Sequence, residues 1–335
     1  MKVLVTGGTG FLGSHFVERL LARGDKVLAL ARKTSDITHL KTTGAQIIIG
    51  DVEDYDSLLP AVKGVNIVYH AAARVTPGWG TWKLFESSII KGTDNMLSAS
   101  VAAGVTRFLH VSTGTVNGKL CEGDTPACES TPYDVAFSRD AYYDFAKKQA
   151  EEVATRYHKE GKIQVSMIRV GAVYGPRDRL LADRVYRHVS LPVIVWPGKS
   201  NPKYSIVYAS DVADFAILVA TSQRAIGEIY NVAPMYEVPL RQFTTAMIKA
   251  VGGPKLEITM PYSVAYIWCT LMEEWAKLRR VEEMPYLTRS SLKFVNRGVY
   301  LDGSKARDEL GWQPRISIEE GTKLYVQWRR SQKRG

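Results

Sequence analysis

The chain has 335 residues, of which 45% are hydrophobic and 23% charged, as in a globular protein with a sizeable core. Its formal net charge of +10 fits a basic solvated surface, attraction of anionic ligands, or contact with anionic lipid. We expect no nucleic-acid partner, because no nucleic-acid-binding motif accompanies the charge.

The first thirty residues predict one parallel βαβ unit. An apolar, β-branched run predicts a buried strand over residues 2–6, and apolar residues at a helical period predict a helix over residues 14–23. Gly24 ends that helix, and residues 26–30 predict the next strand. The order strand, glycine turn, helix, strand is that of a βαβ unit.

The turn between this strand and helix predicts a dinucleotide site. Gly7 allows the tight turn, Gly10 lets the backbone approach a pyrophosphate, and Gly13 lets the helix pack close to the strand. Free N–H groups and the helix dipole favour an anion there. We therefore expect Gly7, Gly10, Phe11, Leu12 and Gly13 to bind the cofactor. A glycine triplet is a specific sign of a dinucleotide site only when it lies between a strand and a helix, as here.

The end of the second strand distinguishes NAD from NADP. An acidic residue there binds the ribose 2′-OH, whereas a cation accommodates the 2′-phosphate of NADP. The strand ends with Ala31, Arg32 and Lys33, and alanine stands where the acid would be. We predict NADP(H) rather than NAD(H), with Arg32 and Lys33 at the phosphate. Alternatively, both cations are merely exposed loop charges.

Further strands lead to a catalytic pair. Strands are predicted over residues 45–49, 65–73 and 108–112, and Ala71, Ala72 and Ala73 are small enough to pass close to the cofactor. This last strand is followed by Thr113. A helix is predicted to begin near Tyr143, and the four-residue spacing places Tyr143 and Lys147 on one face of that helix.

Hydride transfer to a ketone requires a proton donor at the carbonyl oxygen. The pair of Tyr143 and Lys147 can meet this requirement. A phenol with a pKa of ~10 is poorly matched to neutral pH, so we expect Lys147 to lower the pKa of Tyr143. Lys147 can also hold the nicotinamide ribose, and Thr113 can donate to the substrate oxygen. Tyr142 is an inferior candidate, because residue 146, four positions on, is alanine.

These motifs together resemble the extended short-chain dehydrogenase/reductases of the NAD-dependent epimerase/dehydratase superfamily. Later segments similar to that family's landmarks are residues 169–176, 207–213, 227–232 and 310–314. The resemblance implies an α/β fold, a doubly wound parallel sheet (Rossmann) with a smaller C-terminal α/β substrate lobe. Residues 1–170 would form the NADP-binding domain, segments around 205–235 would return to it, and 171–335 would be mainly the substrate lobe.

The resemblance also assigns further roles. It implies that Asp51 and Val52 lie against the adenine and that Val173 lies in a segment flanking the nicotinamide. It selects Thr113 rather than Ser112 as the hydroxyl donor. It also implies a homodimer that pairs through helices including the Tyr143–Lys147 helix.

Several positions depart from the nucleotide-sugar enzymes of that superfamily. Gly114 and Thr115 replace the Asp-Glu pair of the sugar dehydratases, and Tyr204 replaces an arginine that grips the diphosphate. Ala172 and Asn117 replace the usual Asn and Tyr of two other motifs. The dehydratase acid and base are therefore missing.

The remaining pattern resembles the 3β-hydroxysteroid dehydrogenases and the bacterial 2-alkyl-3-oxoalkanoate reductases. It implies a hydrophobic substrate of 3β-hydroxysteroid or 3-oxoacyl type. The candidate substrate residues are Trp79, Trp82, Thr115 and Tyr204, although the two tryptophans could instead anchor the core. A nucleotide-sugar 4-epimerase or reductase using NAD is the alternative. A non-catalytic, redox-sensing regulator is disfavoured, because Tyr143 and Lys147 are both present.

The apolar run over residues 261–275 has two interpretations. At helical spacing its large side chains, Trp268, Leu271, Met272 and Trp275, more often pack on the core. The alternative is a peripheral membrane contact, with basic residues at the end of the helix: Lys277, Arg279 and Arg280.

The motifs that the sequence lacks lead to expectations about localisation and metal content. We expect a cytoplasmic protein, because we find no signal peptide and no apolar run of the ~18 residues that a membrane span needs. The three cysteines fit no zinc template, so we expect reduced thiols and no metal site.

Overall fold

The computed structural model describes residues 1–75, 80–121, 125–198, 201–253, 255–279 and 288–332. The strands are β1 (Lys2–Thr6), β2 (Lys26–Ala31), β3 (Gln46–Ile49), β4 (Ile67–His70), β5 (Arg107–Thr113), β6 (Gln164–Val170), β7 (Ala172–Tyr174), β8 (Val193–Pro197), β9 (Lys203–Tyr204), β10 (Ile206–Tyr208), β11 (Ile229–Val232), β12 (Val238–Pro239) and β13 (Leu256–Met260). The helices are α1 (Phe11–Ala22), α2 (Thr38–Thr43), α3 (Tyr55–Val62), α4 (Trp82–Phe85), α5 (Gly92–Ala102), α6 (Tyr142–Lys159), α7 (Ala182–Val189), α8 (Ala209–Thr221), α9 (Leu240–Val251), α10 (Tyr262–Leu278), α11 (Arg289–Arg297), α12 (Ser304–Leu310) and α13 (Ile318–Ser331). A π-helical stretch, Glu86–Lys91, joins α4 to α5.

Seven strands form one parallel sheet in the order β11-β6-β5-β4-β1-β2-β3. The central strands are continuous apolar runs because both faces of the sheet are covered; Val3, Leu4 and Val5 of β1 have no exposed surface. The order reverses direction at β1, which creates the crevice of a doubly wound sheet. The predicted Rossmann-type α/β fold is confirmed.

Two helical layers cover the sheet. On one face α1 and α8 pack together, with Phe16, Leu20 and Phe215 completely buried. On the other face α3, α5 and α6 form the second layer, where Leu58 and Leu97 are completely buried. The N-terminal ends of α1 and α6 thereby face the same edge of the sheet.

A smaller lobe is built largely from the residues after β6. Its two-stranded sheets pair β10 with β7, β12 with β9, and β13 with β8. Its core gathers aromatic side chains, with Tyr174 lying 5.0 Å from Phe243 between ring centroids. Strand β11 belongs to the central sheet, next to β6. A domain boundary at residue 170 stays a prediction.

Helix α10 has an exposed apolar face. Its buried apolar positions are small, namely Ala265, Cys269 and Ala276, whereas Trp268, Leu271 and Trp275 are 57%, 61% and 54% exposed. The expectation that these three large side chains pack on the core is therefore wrong. A thin underlying layer explains the result, because Ala265 and Cys269 of the helix pack in a small apolar cluster with Leu292 and the partly buried Met260.

No helix among the described residues is both long enough and apolar enough to cross a membrane.

Candidate active site

The turns after β1, β2, β3, β4 and β5 lie at one edge of the sheet, because parallel strands end on the same side. The predicted cofactor and catalytic positions from residue 7 to residue 115 lie in these turns, in the strand ends next to them, or in the helical turn that follows. The topology therefore brings together residues that are up to about a third of the chain apart.

The glycine turn after β1 is packed too closely for side chains. Gly7 has φ +73°, and a Cβ there would lie 2.8 Å from the carbonyl carbon of Ala71. A Cβ on Gly13 would lie 2.1 Å from the Gly7 carbonyl oxygen. Within the described part of the chain, the first turn of α1 carries neither an acidic residue nor a side-chain cap. These features fit a pyrophosphate on the helix N-terminus.

The neighbouring turns present the other predicted cofactor residues. Ala31 is buried at the end of β2, and Arg32 and Lys33, which follow it, are exposed. After β3, the backbone N–H of Asp51 donates to Ser57 Oγ (2.9 Å), and Asn95 Nδ2 donates to the carbonyl of Val52 (2.9 Å). These bonds fix the turn that the resemblance assigns to the adenine.

The remaining predicted cofactor residues line the same edge. Phe11 and Leu12, at the start of α1, and Ala71, Ala72, Ala73 and Val173 are all half-buried. Of these, Ala73 packs in the same cluster as Tyr143.

Helix α6 is held against β5 by the predicted catalytic lysine. Lys147 is only 3% exposed, and its Nζ donates to the carbonyl of Val111 at 2.6 Å. Burial lowers the pKa of Lys147 to about 8, and the Glu151 carboxylate one turn later acts in the opposite direction. The ammonium group is therefore buried and oriented by the strand.

Three side chains form a hydrogen-bonded chain next to Tyr143. The Thr113 and Thr115 hydroxyl oxygens are 2.9 Å apart, and Thr115 Oγ1 donates to Asp144 Oδ1 at 2.5 Å. Burial raises the pKa of Asp144 to about 6, while the bond from Thr115 lowers it. Sequence reasoning missed Asp144, although it lies inside the Tyr-x-x-x-Lys motif.

The phenol of Tyr143 does not follow the expectation from sequence. Burial raises its pKa above the usual value, and the charge of the adjacent Asp144 raises it further. The expected lowering of this pKa by Lys147 is not found, since both effects on the phenol disfavour the phenolate. Tyr143 is consequently a protonated phenol at neutral pH, which suits a proton donor.

A buried ion pair supports α6 from beneath, and sequence reasoning missed it. Arg169 on β6 contacts Glu151 at 2.8 Å, and these side chains are 2% and 0% exposed. Tyr133 donates to the same carboxylate at 2.5 Å, and Arg169 also donates to the Glu129 carbonyl at 3.1 Å. The available signal was the spacing of Glu151, four residues after Lys147.

The predicted substrate residues lie in different surroundings. Thr115 is part of the hydroxyl chain, and Trp82 packs edge-on against Phe137 at 4.9 Å between ring centroids. Tyr204 has no exposed surface and lies in the core of the smaller lobe. Trp79 lies outside the described residues. Substrate contact by these residues stays a prediction.

Replacing Glu151 by glutamine should lower the free energy of unfolding by about 3–5 kcal/mol, because Arg169 would keep a buried, uncompensated charge. Urea denaturation followed by fluorescence measures the change. The matched control is Glu152→Gln, an exposed carboxylate on the same helix. Equal stability of the two variants would contradict the supporting role of the ion pair.

Comparison with known proteins identifies the family of the chain. The chain matches the NAD dependent epimerase/dehydratase family over residues 3–233. The 2-alkyl-3-oxoalkanoate reductase of Stenotrophomonas maltophilia is 28% identical, over 96% of this chain and 97% of that protein. The decarboxylating sterol-4-alpha-carboxylate 3-dehydrogenase of Dictyostelium discoideum is 29% identical, over 96% and 98%.

Among solved structures, the UDP-glucose 4-epimerase of Thermus thermophilus in complex with NAD superposes with a TM-score of 0.76 at 26% identity. The match covers 98% of this chain and 99% of the epimerase. The resemblance inferred from the motifs is confirmed. The chain belongs to the NAD-dependent epimerase/dehydratase family and is an NAD(P)-dependent dehydrogenase/reductase of the extended short-chain type.

Proposed function

We propose that this enzyme exchanges hydride between NADP(H) and a ketone or secondary alcohol of a hydrophobic substrate, of 3β-hydroxysteroid or 3-oxoacyl type. The observation that carries the proposal is the arrangement at the end of β5. There Lys147 is bonded to Val111, and Thr113 is linked through Thr115 to the residue following Tyr143.

Each catalytic residue has a separate task. The nicotinamide, when bound, supplies or accepts the hydride at the substrate carbon. Tyr143 holds the proton that the carbonyl oxygen receives during reduction, and Thr113 makes a second hydrogen bond to that oxygen. Lys147, oriented by its bond to the Val111 carbonyl, holds the nicotinamide ribose.

Two observations support a hydrophobic substrate. Tyr204 occupies the position of the diphosphate-gripping arginine and is enclosed in an apolar core, so this position offers no cation to a nucleotide sugar. The two relatives named above act on an oxoalkanoate and a sterol carboxylate, according to their names.

A nucleotide-sugar 4-epimerase using NAD is the second candidate. The likeness to the Thermus thermophilus epimerase favours it, since that structure matches nearly the whole chain. The two candidates differ in cofactor and ligand. Stabilisation by NADPH and a long-chain 3-oxo compound in a thermal-shift titration is expected for the reductase, whereas stabilisation by NADH and a UDP-sugar would favour the epimerase.

We also infer a peripheral membrane contact through the exposed face of α10. Its apolar side chains recur at helical spacing along one stripe: Val264, Ile267, Trp268, Leu271, Trp275 and Leu278. Lys277 and Arg279 lie at the end of the helix, and the chain is basic overall, so anionic lipid is the complementary partner. The resemblance further implies a homodimer, which sedimentation equilibrium can check.

Replacing Tyr143 by phenylalanine should lower kcat for carbonyl reduction by about 10²–10⁴-fold, because the proton donor is removed. NADPH affinity should change little. The control is Tyr142→Phe, which removes the neighbouring hydroxyl. Steady-state kinetics and NADPH titration measure both effects, and comparable activity in the two variants would show that Tyr143 is not the donor.

Replacing Arg32 and Lys33 together by alanine should weaken NADPH binding by roughly 10–100-fold and leave NADH binding nearly unchanged, because charge-assisted bonds to the 2′-phosphate are lost. Isothermal titration measures both cofactors. Lys41→Ala, an exposed cation on α2, is the control. A parallel loss for both cofactors, or no loss, would contradict NADP selection by these residues.

The double variant Leu271→Glu/Trp275→Glu should abolish co-sedimentation with vesicles of phosphatidylserine and phosphatidylcholine, because it places two charges in the apolar stripe. Leu59→Glu on α3 is the matched control. A native protein that stays in the supernatant would contradict the membrane contact. Conversion of a dimer to a monomer by the double variant would identify the stripe as an interface between copies.

A further inference from the structure

The hydroxyl chain beside Tyr143 has a property that the proposed reaction does not use. A threonine hydroxyl has one proton to donate and two lone pairs with which to accept. Thr115 lies between two oxygen partners, Thr113 Oγ1 at 2.9 Å and Asp144 Oδ1 at 2.5 Å. An ionised carboxylate can only accept and therefore sets the direction of both bonds, whereas a protonated carboxyl group can donate and so reverse them.

An ionised Asp144 accepts from the Thr115 hydroxyl, and Thr115 then accepts from Thr113. The Thr113 oxygen also accepts from the backbone N–H of Thr115 at 3.3 Å. The Thr113 hydroxyl proton is donated to Thr115, and one lone pair on the Thr113 oxygen remains for a ligand. In this state Thr113 can accept a bond from an alcohol hydroxyl but cannot donate to a ketone.

A protonated Asp144 reverses the chain. Its carboxyl O–H donates to Thr115, the Thr115 hydroxyl donates to Thr113, and the Thr113 proton is free for the substrate oxygen. In this state Thr113 can donate to a ketone, whose oxygen can only accept. The O–H bond of the Asp144 carboxyl group is the one covalent bond formed or broken, with its proton exchanged with solvent, and each threonine hydroxyl keeps its proton and rotates.

We propose that Asp144 is a positioning residue that sets whether Thr113 donates to or accepts from the substrate, and thereby which direction of hydride exchange is favoured. This inference rests on the proposed function, since it requires that Thr113 contact the reacting oxygen. It adds a determinant of direction outside the Tyr143–Lys147 pair.

The surroundings of Asp144 allow its protonation to change near neutral pH. Its carboxyl group is half-buried, and burial raises its pKa to about 6. The titratable groups within one turn of it on its own helix are Tyr142, Tyr143, Lys147 and Lys148. Lys147 is bonded to Val111, and Lys148 lies over the Tyr133 ring.

Most titratable groups on the elements packed against α6 are paired with other groups, kept neutral or exposed. Arg169 of β6 pairs with Glu151, Asp94 of α5 pairs with Arg156, and His110 of β5 is kept neutral by burial, which lowers its pKa well below the usual value. Lys83, Lys91 and Arg139 are exposed, and Glu86 is half-buried.

The kinetic test follows both directions against pH with the full-length enzyme. The probes are ethyl 3-oxohexanoate with NADPH, and ethyl 3-hydroxyhexanoate with NADP⁺. Because the raised pKa leaves Asp144 protonated below about pH 6, kcat/KM for reduction should fall about tenfold above that pH. The value for oxidation should rise over the same interval.

Asp144→Asn should remove both pH-dependent steps, the fall in kcat/KM for reduction and the rise for oxidation. It removes the titrating group while keeping the shape of the side chain. Thr115→Val should remove them as well, because the chain is interrupted between Asp144 and Thr113. Glu152→Gln, an exposed carboxylate on the same helix, is the matched control and should keep both steps. Steps that persist in Asp144→Asn would overturn the proposal.

A second readout is independent of turnover. Carboxyl-¹³C NMR of aspartate-labelled protein, assigned with Asp144→Asn, reports the titration of Asp144 directly. Thr115→Val should raise the pKa of Asp144, because the hydrogen bond that stabilises the carboxylate is lost. An unchanged pKa would contradict the hydrogen bond between Thr115 and Asp144 on which the proposal depends. If neither probe is turned over but this shift is found, the proposed function fails while the hydroxyl chain stands.

Discussion

The docking of α6 against β5 is the constraint on which the rest of the site depends. One buried ammonium group, that of Lys147, bonds to a strand carbonyl at 2.6 Å and fixes the helix at a single rotation and depth. Tyr143 lies one turn earlier and is positioned by the same contact. Without this bond the ammonium group would be buried and unpaired, which is strongly unfavourable.

The ion pair between Arg169 and Glu151 extends this constraint to the next strand. Because β5 and β6 are adjacent and parallel, α6 is tied to both of them, by Lys147 to one and by Glu151 to the other. Buried charges of this kind contribute less to net stability than to a single well-defined arrangement, since their desolvation offsets much of the attraction. That arrangement is what hydride exchange needs, because reacting groups must be held within a fraction of an ångström.

The two lobes differ in how completely they bury their apolar side chains. The central sheet is covered on both faces, so its strands are mainly apolar and its carboxyl edge is rigid. The outer part of the smaller lobe is thin, and α10 has only a small cluster of residues beneath it. Its aromatic and aliphatic stripe therefore stays exposed, which is unusual for large apolar side chains at regular helical spacing.

The sequence alone determined the sheet, the glycine turn and the catalytic pair. β1 begins and ends as predicted, and Tyr143 and Lys147 lie four residues apart on one helix. These features were predictable because each depends on a short-range pattern: hydrophobic period, glycine spacing or helical step. The structure starts α1 at Phe11 rather than residue 14, because the glycine turn itself supplies the first helical turn.

Only the tertiary structure decided which polar groups meet. Asp144 reaches Thr115 across 29 positions and Arg169 reaches Glu151 across 18, and no local pattern encodes either contact. The exposure of α10 and the enclosure of Tyr204 also depend on what packs against them. The pKa of Tyr143 rises for the same reason: its ionisation is governed by burial, which a sequence motif does not specify.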